Sequence, residues 1–193
     1  MDLSLPVGTL DGMDSVQSLC TDYIKAETIH DYNCEEFNAK GVDKWVEITS
    51  PPTNLIVVLN RFAFNMQSMQ NEKLFTDVRI DETVQIGQFC YNLYGVLVHT
   101  GATSTKGHYY FVGKKSEAVD NQWFCIDDSQ VKPVDVSYIH TLSKTNGKRD
   151  DSPYVLFYRC ALAPPSPECR VAPRHMEYMY AKQRGEGRAS SGD

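Results

Sequence analysis

Along the first third of the chain the hydrophobic positions keep a helical period before changing to a strand pattern. Val16, Leu19, Tyr23 and Ile24 fall at i, i+3, i+7 and i+8, the stripe of an amphipathic helix. Asp14 followed three residues later by Gln17 reads as a capping box, so a helix is expected over residues 15–26. A polar connection through His30, Tyr32 and Cys34 comes next. Trp45 to Ile48 then alternates briefly before Ser50, Pro51 and Pro52 halt it.

Five segments read as strands. Asn54 to Arg61 has an uninterrupted apolar centre, the pattern of a strand buried on both faces. Tyr91 to His99, Gly107 to Gly113, Gln122 to Asp127 and Pro153 to Cys160 complete the set. The link Thr100 to Lys106 reads as a hairpin loop, and Asp120-Asn121 as a turn. Strands joined by short loops predict an α+β fold, a mainly antiparallel sheet with few helices packed on one side. After Cys160 the chain turns to Pro164, Pro165, Pro167 and an Arg-, Gly- and Ser-rich run with few apolar anchors. Residues 1–160 are therefore read as the folded part and 161–193 as a disordered tail.

A length of 193 residues suits one domain with or without a tail, and 41% hydrophobic against 23% charged residues excludes wholesale disorder. The longest aliphatic run, Leu55 to Leu59, is too short to span a bilayer, so no membrane association is expected. Met1-Asp2-Leu3-Ser4 does not open a basic segment followed by an apolar one, so no secretory signal is expected either. Six cysteines, at 20, 34, 90, 125, 160 and 169, contain no C-x-x-C pair and read as free intracellular thiols. The net charge is −6, and residues 1–160 hold 14 basic against 21 acidic side chains. An acidic body disfavours nucleic acid and suits a basic protein surface.

Candidate chemistry gathers at strand ends. His99 closes one strand, His108 opens the next, and Asp127-Asp128 closes the third. In an antiparallel arrangement the start of one strand lies beside the end of its neighbour, so these groups can converge. An imidazole held by a carboxylate at one nitrogen keeps the other free as a general base, a logic shared by serine and cysteine hydrolases. The same four residues can instead be read as the ligands of a metallohydrolase.

The ordered fragments Tyr91-x-Leu93, His99-x-Gly101, Gly107-His108-Tyr109-Tyr110, Trp123 with Asp127-Asp128 and Val131, and Tyr154 to Tyr158 resemble the histidine-box half of the ubiquitin-specific protease family. Leu59-x-Arg61-Phe62, with Lys73 downstream, precedes them. The resemblance runs from Ser15 to Cys160. It implies a papain-like cysteine proteinase fold, here the palm-and-fingers sheet of a partial catalytic domain. By position it makes His108 the catalytic histidine, Asp127 the acid that orients it, and Asp128 the neighbouring acid that assists near the oxyanion or supports the imidazole. It further implies a narrow cleft for the Gly-Gly tail of ubiquitin. Gly101 and Gly107 would let the substrate backbone come close, and Tyr109, Tyr110 and His99 would stand beside it. The implied reaction is thiol-dependent hydrolysis after ubiquitin's C-terminal glycine, in the cytoplasm or nucleus, with ubiquitin and ubiquitinated proteins as partners. It requires no cofactor and no metal.

Two departures stand out. The family's cysteine box, ending in N-T-C-Y at a helix start where the thiol pKa is lowered, has no counterpart here, so the nucleophile is expected in sequence this chain lacks. Where a second zinc-binding C-x-x-C pair would sit, Cys34 is followed by Phe37, so a degenerate, metal-free finger is expected. A pseudoenzyme that binds ubiquitin without cleaving it is the alternative reading.

Overall fold

The apolar run after Pro52 forms a strand near one edge of the main sheet, and its burial alternates: Leu55, Val57 and Leu59 are fully buried while Ile56 and Val58 are half-buried. The expectation of two buried faces is therefore corrected. One face meets the core and the other is only partly covered, as in an antiparallel sheet with helices on one side.

The computed structural model describes residues 1–8, 14–34, 39–103, 106–115, 122–142 and 151–161. In chain order these form β1 (Asp2–Pro6), β2 (Asp14–Ser15), α1 (Val16–Ile24), β3 (Glu27–Cys34), β4 (Ala39–Lys44), β5 (Asn54–Asn60), β6 (Phe62–Asn65) and β7 (Gln70–Lys73). There follow β8 (Val78–Arg79), β9 (Thr83–Ile86), β10 (Phe89–Thr100), β11 (His108–Lys114), β12 (Trp123–Asp127), β13 (Gln130–Val134), α2 (Ser137–Leu142) and β14 (Asp151–Cys160). The main sheet runs β1-β5-β14-β10-β11-β12-β13, with β9 pairing beside β10. Its pairs are antiparallel except β1 with β5. The proposed turn at 120–121 and the tail from 162 onward lie outside the described residues.

All five expected strands are present. Their neighbours were harder to foresee, because β6, β7, β8, β9 and β13 are short or carry few apolar residues. Trp45 to Ile48 is not a strand; the polar stretch before it forms the β3–β4 hairpin instead. Its cross-strand partners Thr28–Asp43 and Glu27–Lys44 are joined by side-chain hydrogen bonds, so polar pairing stands in for an apolar face.

Helix α1 buries Val16, Leu19 and Cys20 against the sheet core, with Tyr23 and Ile24 packed at its margin. The expected capping box is displaced by one residue. Ser15 is the N-cap: its hydroxyl accepts from the Ser18 backbone N–H while the Ser18 hydroxyl accepts from Ser15 N–H. Asp14 instead receives the Gly8 N–H, and Gln17 N–H donates to Asp81. Ser15→Ala is expected to cost about 1 kcal/mol in urea unfolding, the usual worth of an N-cap, and a loss below a few tenths would contradict this assignment.

Arg61, 1% exposed, fastens the end of β5 to the rest of the sheet. Its Nε donates to Pro153 O at 2.7 Å, and Nη1 donates to Thr76 O at 2.8 Å and Leu74 O at 3.3 Å. Burial lowers the guanidinium pKa to about 10 against the opposing pull of Asp77 and Asp14, so it stays charged at neutral pH.

Candidate active site

Antiparallel pairing of β11 with β12 sets Phe111 opposite Ile126, so the first residue of β11 comes beside the last of β12. These residues are His108 and Asp127, and His108 Nε2 lies 2.5 Å from Asp127 Oδ1. A carboxylate can only accept here, so the imidazole donates from Nε2 and Nδ1 is left as the free nitrogen. Both side chains are about half exposed. Asp128 follows in the two-residue turn between β12 and β13 with φ of 51°, a left-handed conformation that aspartate tolerates better than most residues.

The hydrogen bond to Asp127 is the main influence raising the His108 pKa and outweighs the opposing effect of desolvation; the charges of Asp127 and Asp128 add to it. His99 behaves oppositely. It is 2% exposed, and burial together with nearby Lys73 pushes its pKa down. In NMR titration of the chain, His108 is expected to reach its midpoint above 6.5 and His99 below it. The raised His108 pKa favours folding below pH 6.5 and this contribution fades as pH rises through its folded value. The depressed His99 pKa removes stability as pH falls below 6.5. A His99 midpoint at or above that of free imidazole would contradict the buried, neutral assignment.

The two glycines have an internal reason to lack side chains. A Cβ at Gly107 would strike the His99 ring at Nε2 and the Thr100 carbonyl, and Gly101, at φ of 140°, would place one 2.7 Å from Lys106 O. Gly107 is therefore required by the packing of His99, and Gly101 by its positive φ and the close backbone of Lys106 and Gly107. Lys73 supports the same corner, its Nζ donating to Gly101 O at 2.7 Å and His99 O at 3.2 Å.

Tyr109 and Tyr110 part company, as alternate strand residues must. Tyr109 is 47% exposed and its ring centre lies 4.7 Å from that of His99. Tyr110 is buried on the other face, the one it shares with His108. Phe62 and Tyr154 complete an aromatic cluster around His99 and Tyr109. Only the folding of β6 and β14 toward His99 brings Phe62 and Tyr154 here. Trp123 and Tyr158 are core residues.

Two of the described thiols, Cys20 and Cys125, are held toward the protonated form. Burial, reinforced by Asp81, pushes Cys20 up to about 12, and burial followed by the Asp127 charge raises Cys125. Both shifts disfavour the reactive thiolate. The side chains of Cys34 and Cys169 and residues 35–38, where the degenerate finger was expected, lie outside the described residues.

Among the described residues, one group has metal-ligating atoms within 4.8 Å of one another: His108, Asp127 and Asp128. In this arrangement His108 and Asp127 are joined to each other directly by a hydrogen bond. His99, buried beneath the loop, is not part of this group.

A family model described as ubiquitin carboxyl-terminal hydrolase matches residues 9–158. Human ubiquitin carboxyl-terminal hydrolase 35 is 29% identical, with 82% of this chain and 18% of that protein covered. Mouse ubiquitin carboxyl-terminal hydrolase 17-like protein B is 30% identical, with 81% and 32% covered. Ubiquitin carboxyl-terminal hydrolase 4 of Arabidopsis thaliana is 27% identical, with 82% and 45% covered. The chain thus spans less than half the length of these relatives. Among solved structures, the SAGA DUB module of Ubp8, Sgf11, Sus1 and Sgf73 bound to monoubiquitin matches with a TM-score of 0.66 at 23% identity, covering 83% of this chain and 35% of that one. This likeness shows that the chain shares the fold of that structure over 83% of its length.

Proposed function

Because the chain belongs to the ubiquitin carboxyl-terminal hydrolase family, we propose that residues 1–160 are the C-terminal part of a deubiquitinase catalytic domain and supply its histidine and aspartate. The observation that carries this reading is the His108 Nε2 contact with Asp127, which leaves Nδ1 free at the half-exposed end of the sheet. In the proposed reaction a thiol gives its proton to Nδ1 and attacks the carbonyl after ubiquitin's C-terminal glycine. The imidazolium then protonates the leaving amine, and water releases the acyl group from the thioester. Asp127 holds the tautomer and stabilises the imidazolium, while Asp128 adds negative charge beside it. Asp128 bears a formal charge that would oppose an oxyanion, so its support of the imidazole is the better reading.

The thiol in this scheme comes from outside these six cysteines. Tyr109, with Gly101, Gly107 and buried His99 behind it, would flank the ubiquitin tail. The acidic body suits the basic face of ubiquitin, and the reading places the protein inside the cell. A non-catalytic ubiquitin-binding module is the second reading, favoured by the raised pKa of Cys20 and Cys125.

Two measurements test the proposal: binding of ubiquitin by this 193-residue chain, and its labelling by ubiquitin bearing a C-terminal electrophile. Binding without labelling is expected, with hydrolysis of a fluorogenic ubiquitin amide appearing only in a longer natural polypeptide that adds the thiol segment. Robust labelling of Cys20, Cys34 or Cys90 would overturn the placement of the nucleophile. No ubiquitin binding by either form would sink both readings.

A further inference from the structure

Asp151 is the first residue of β14 and is half-buried. Pairing of β14 with β10 sets Asp151 opposite Thr100, and pairing of β10 with β11 sets Thr100 opposite His108. Directly opposed residues project to the same side of a sheet, so the three side chains form a row across three strands. Tyr110 lies two residues beyond His108 and therefore shares that face.

Asp151 uses both carboxylate oxygens there. Oδ1 accepts from the Thr100 hydroxyl, and Oδ2 accepts from the Tyr110 phenol at 3.3 Å. The Tyr110 oxygen also lies 3.4 Å from that of Tyr138 on α2. One carboxylate thus bridges the last residue of β10 and the third residue of β11, bracketing His108. The imidazole has little other support, since its side chain is 48% exposed and its hydrogen bond is to Asp127 alone among the described side chains. The loop between β10 and β11 begins at Gly101, at a φ of 140° that side-chain-bearing residues rarely adopt, with its carbonyl held by Lys73.

We propose that Asp151 is a positioning residue for His108, locking the end of β10 to the start of β11 through Thr100 and Tyr110 so that the imidazole keeps its alignment with Asp127. Its relevance to catalysis rests on the reading of His108 as general base. The clamp itself does not, and it can be tested in the 193-residue chain.

The test is an NMR titration of His108 in Thr100→Val, Thr100→Ser, Tyr110→Phe and Asp151→Asn chains. Thr100→Val is decisive because it removes the hydroxyl and keeps the Asp151 charge. It is expected to move the His108 midpoint toward that of free imidazole by about half a pH unit as the Asp127 bond loosens. Tyr110→Phe should act in the same direction, and Thr100→Ser should restore wild-type behaviour. In a longer polypeptide with activity, Thr100→Val should lower kcat about tenfold with KM unchanged, the signature of a misaligned base. A wild-type His108 titration in Thr100→Val would overturn the proposal, even if Asp151→Asn moved it, because that movement would be a charge effect. Should His108→Ala keep full turnover while Thr100→Val still moves the titration, the general-base reading fails and the clamp stands.

Discussion

His108→Ala, made in a polypeptide that also carries the thiol segment, is expected to lower kcat at least about 10³-fold while ubiquitin affinity changes by less than about threefold. Removing the imidazole deletes the proton acceptor for the thiol and the donor for the leaving amine together. Binding should survive because the His108 side chain lies at a sheet end and is about half exposed, so its loss opens no cavity in the core. Asp127→Asn gives a second, graded point. An amide can donate to Nε2 as well as accept from it, so the ring is free to take the wrong tautomer, and a loss of about 10²–10⁴ in kcat is expected. Steady-state hydrolysis of a fluorogenic ubiquitin amide, paired with calorimetric ubiquitin binding, separates the two effects. Retained turnover in His108→Ala would refute the assignment.

The second large effect concerns stability. Arg61→Ala is expected to destabilise the chain by about 3–5 kcal/mol, the range for breaking a buried charged interaction by deleting one side of it. The Pro153, Leu74 and Thr76 carbonyls would lose their donor at a site that is 1% exposed. Asp77 and Asp14 would lose the positive charge that faces them. Arg61→Lys should lose less, because it keeps the charge, yet one ammonium does not reproduce the planar fork that serves carbonyls on separate segments. Urea unfolding is the measurement, with the midpoint lowered and the slope unchanged. A loss below about 1 kcal/mol for Arg61→Ala would show that water replaces the donor and that the fastening role is wrong.

Much of the fold was legible in the chain because burial imposes periodicity. Helix α1 and strands β5, β10, β11, β12 and β14 were found where apolar residues recur at 3.6 or 2 positions. The capping box was misplaced by one residue because Asp14 and Ser15 are both good N-caps in isolation. Which one acts depended on Gly8, whose N–H claims Asp14 across six residues. The β3–β4 hairpin was read as a connection because its pairing is polar, and polar pairs leave no hydrophobic period to see.

For the site, residue type and order were enough to single out His108, Asp127 and Asp128, since strand order alone brings the start of β11 to the end of β12. Other roles depended on which face a residue meets. Tyr109 and Tyr110 are adjacent and chemically equal, yet the pleat sends one toward His99 and the other into the core. Phe62, Tyr154 and Asp151 gained their places through partners 37 to 92 residues away, set by strand register. Composition and spacing are enough for the elements that bury apolar surface, the acidic balance, and the histidine and aspartate of the candidate site, because each is a local property. Only the fold brings Arg61 to carbonyls of distant segments, sets Gly107 against the His99 ring, and lines Asp151 up with Thr100 and Tyr110 beside His108. Those are contacts between distant residues, and no local pattern encodes the register that creates them.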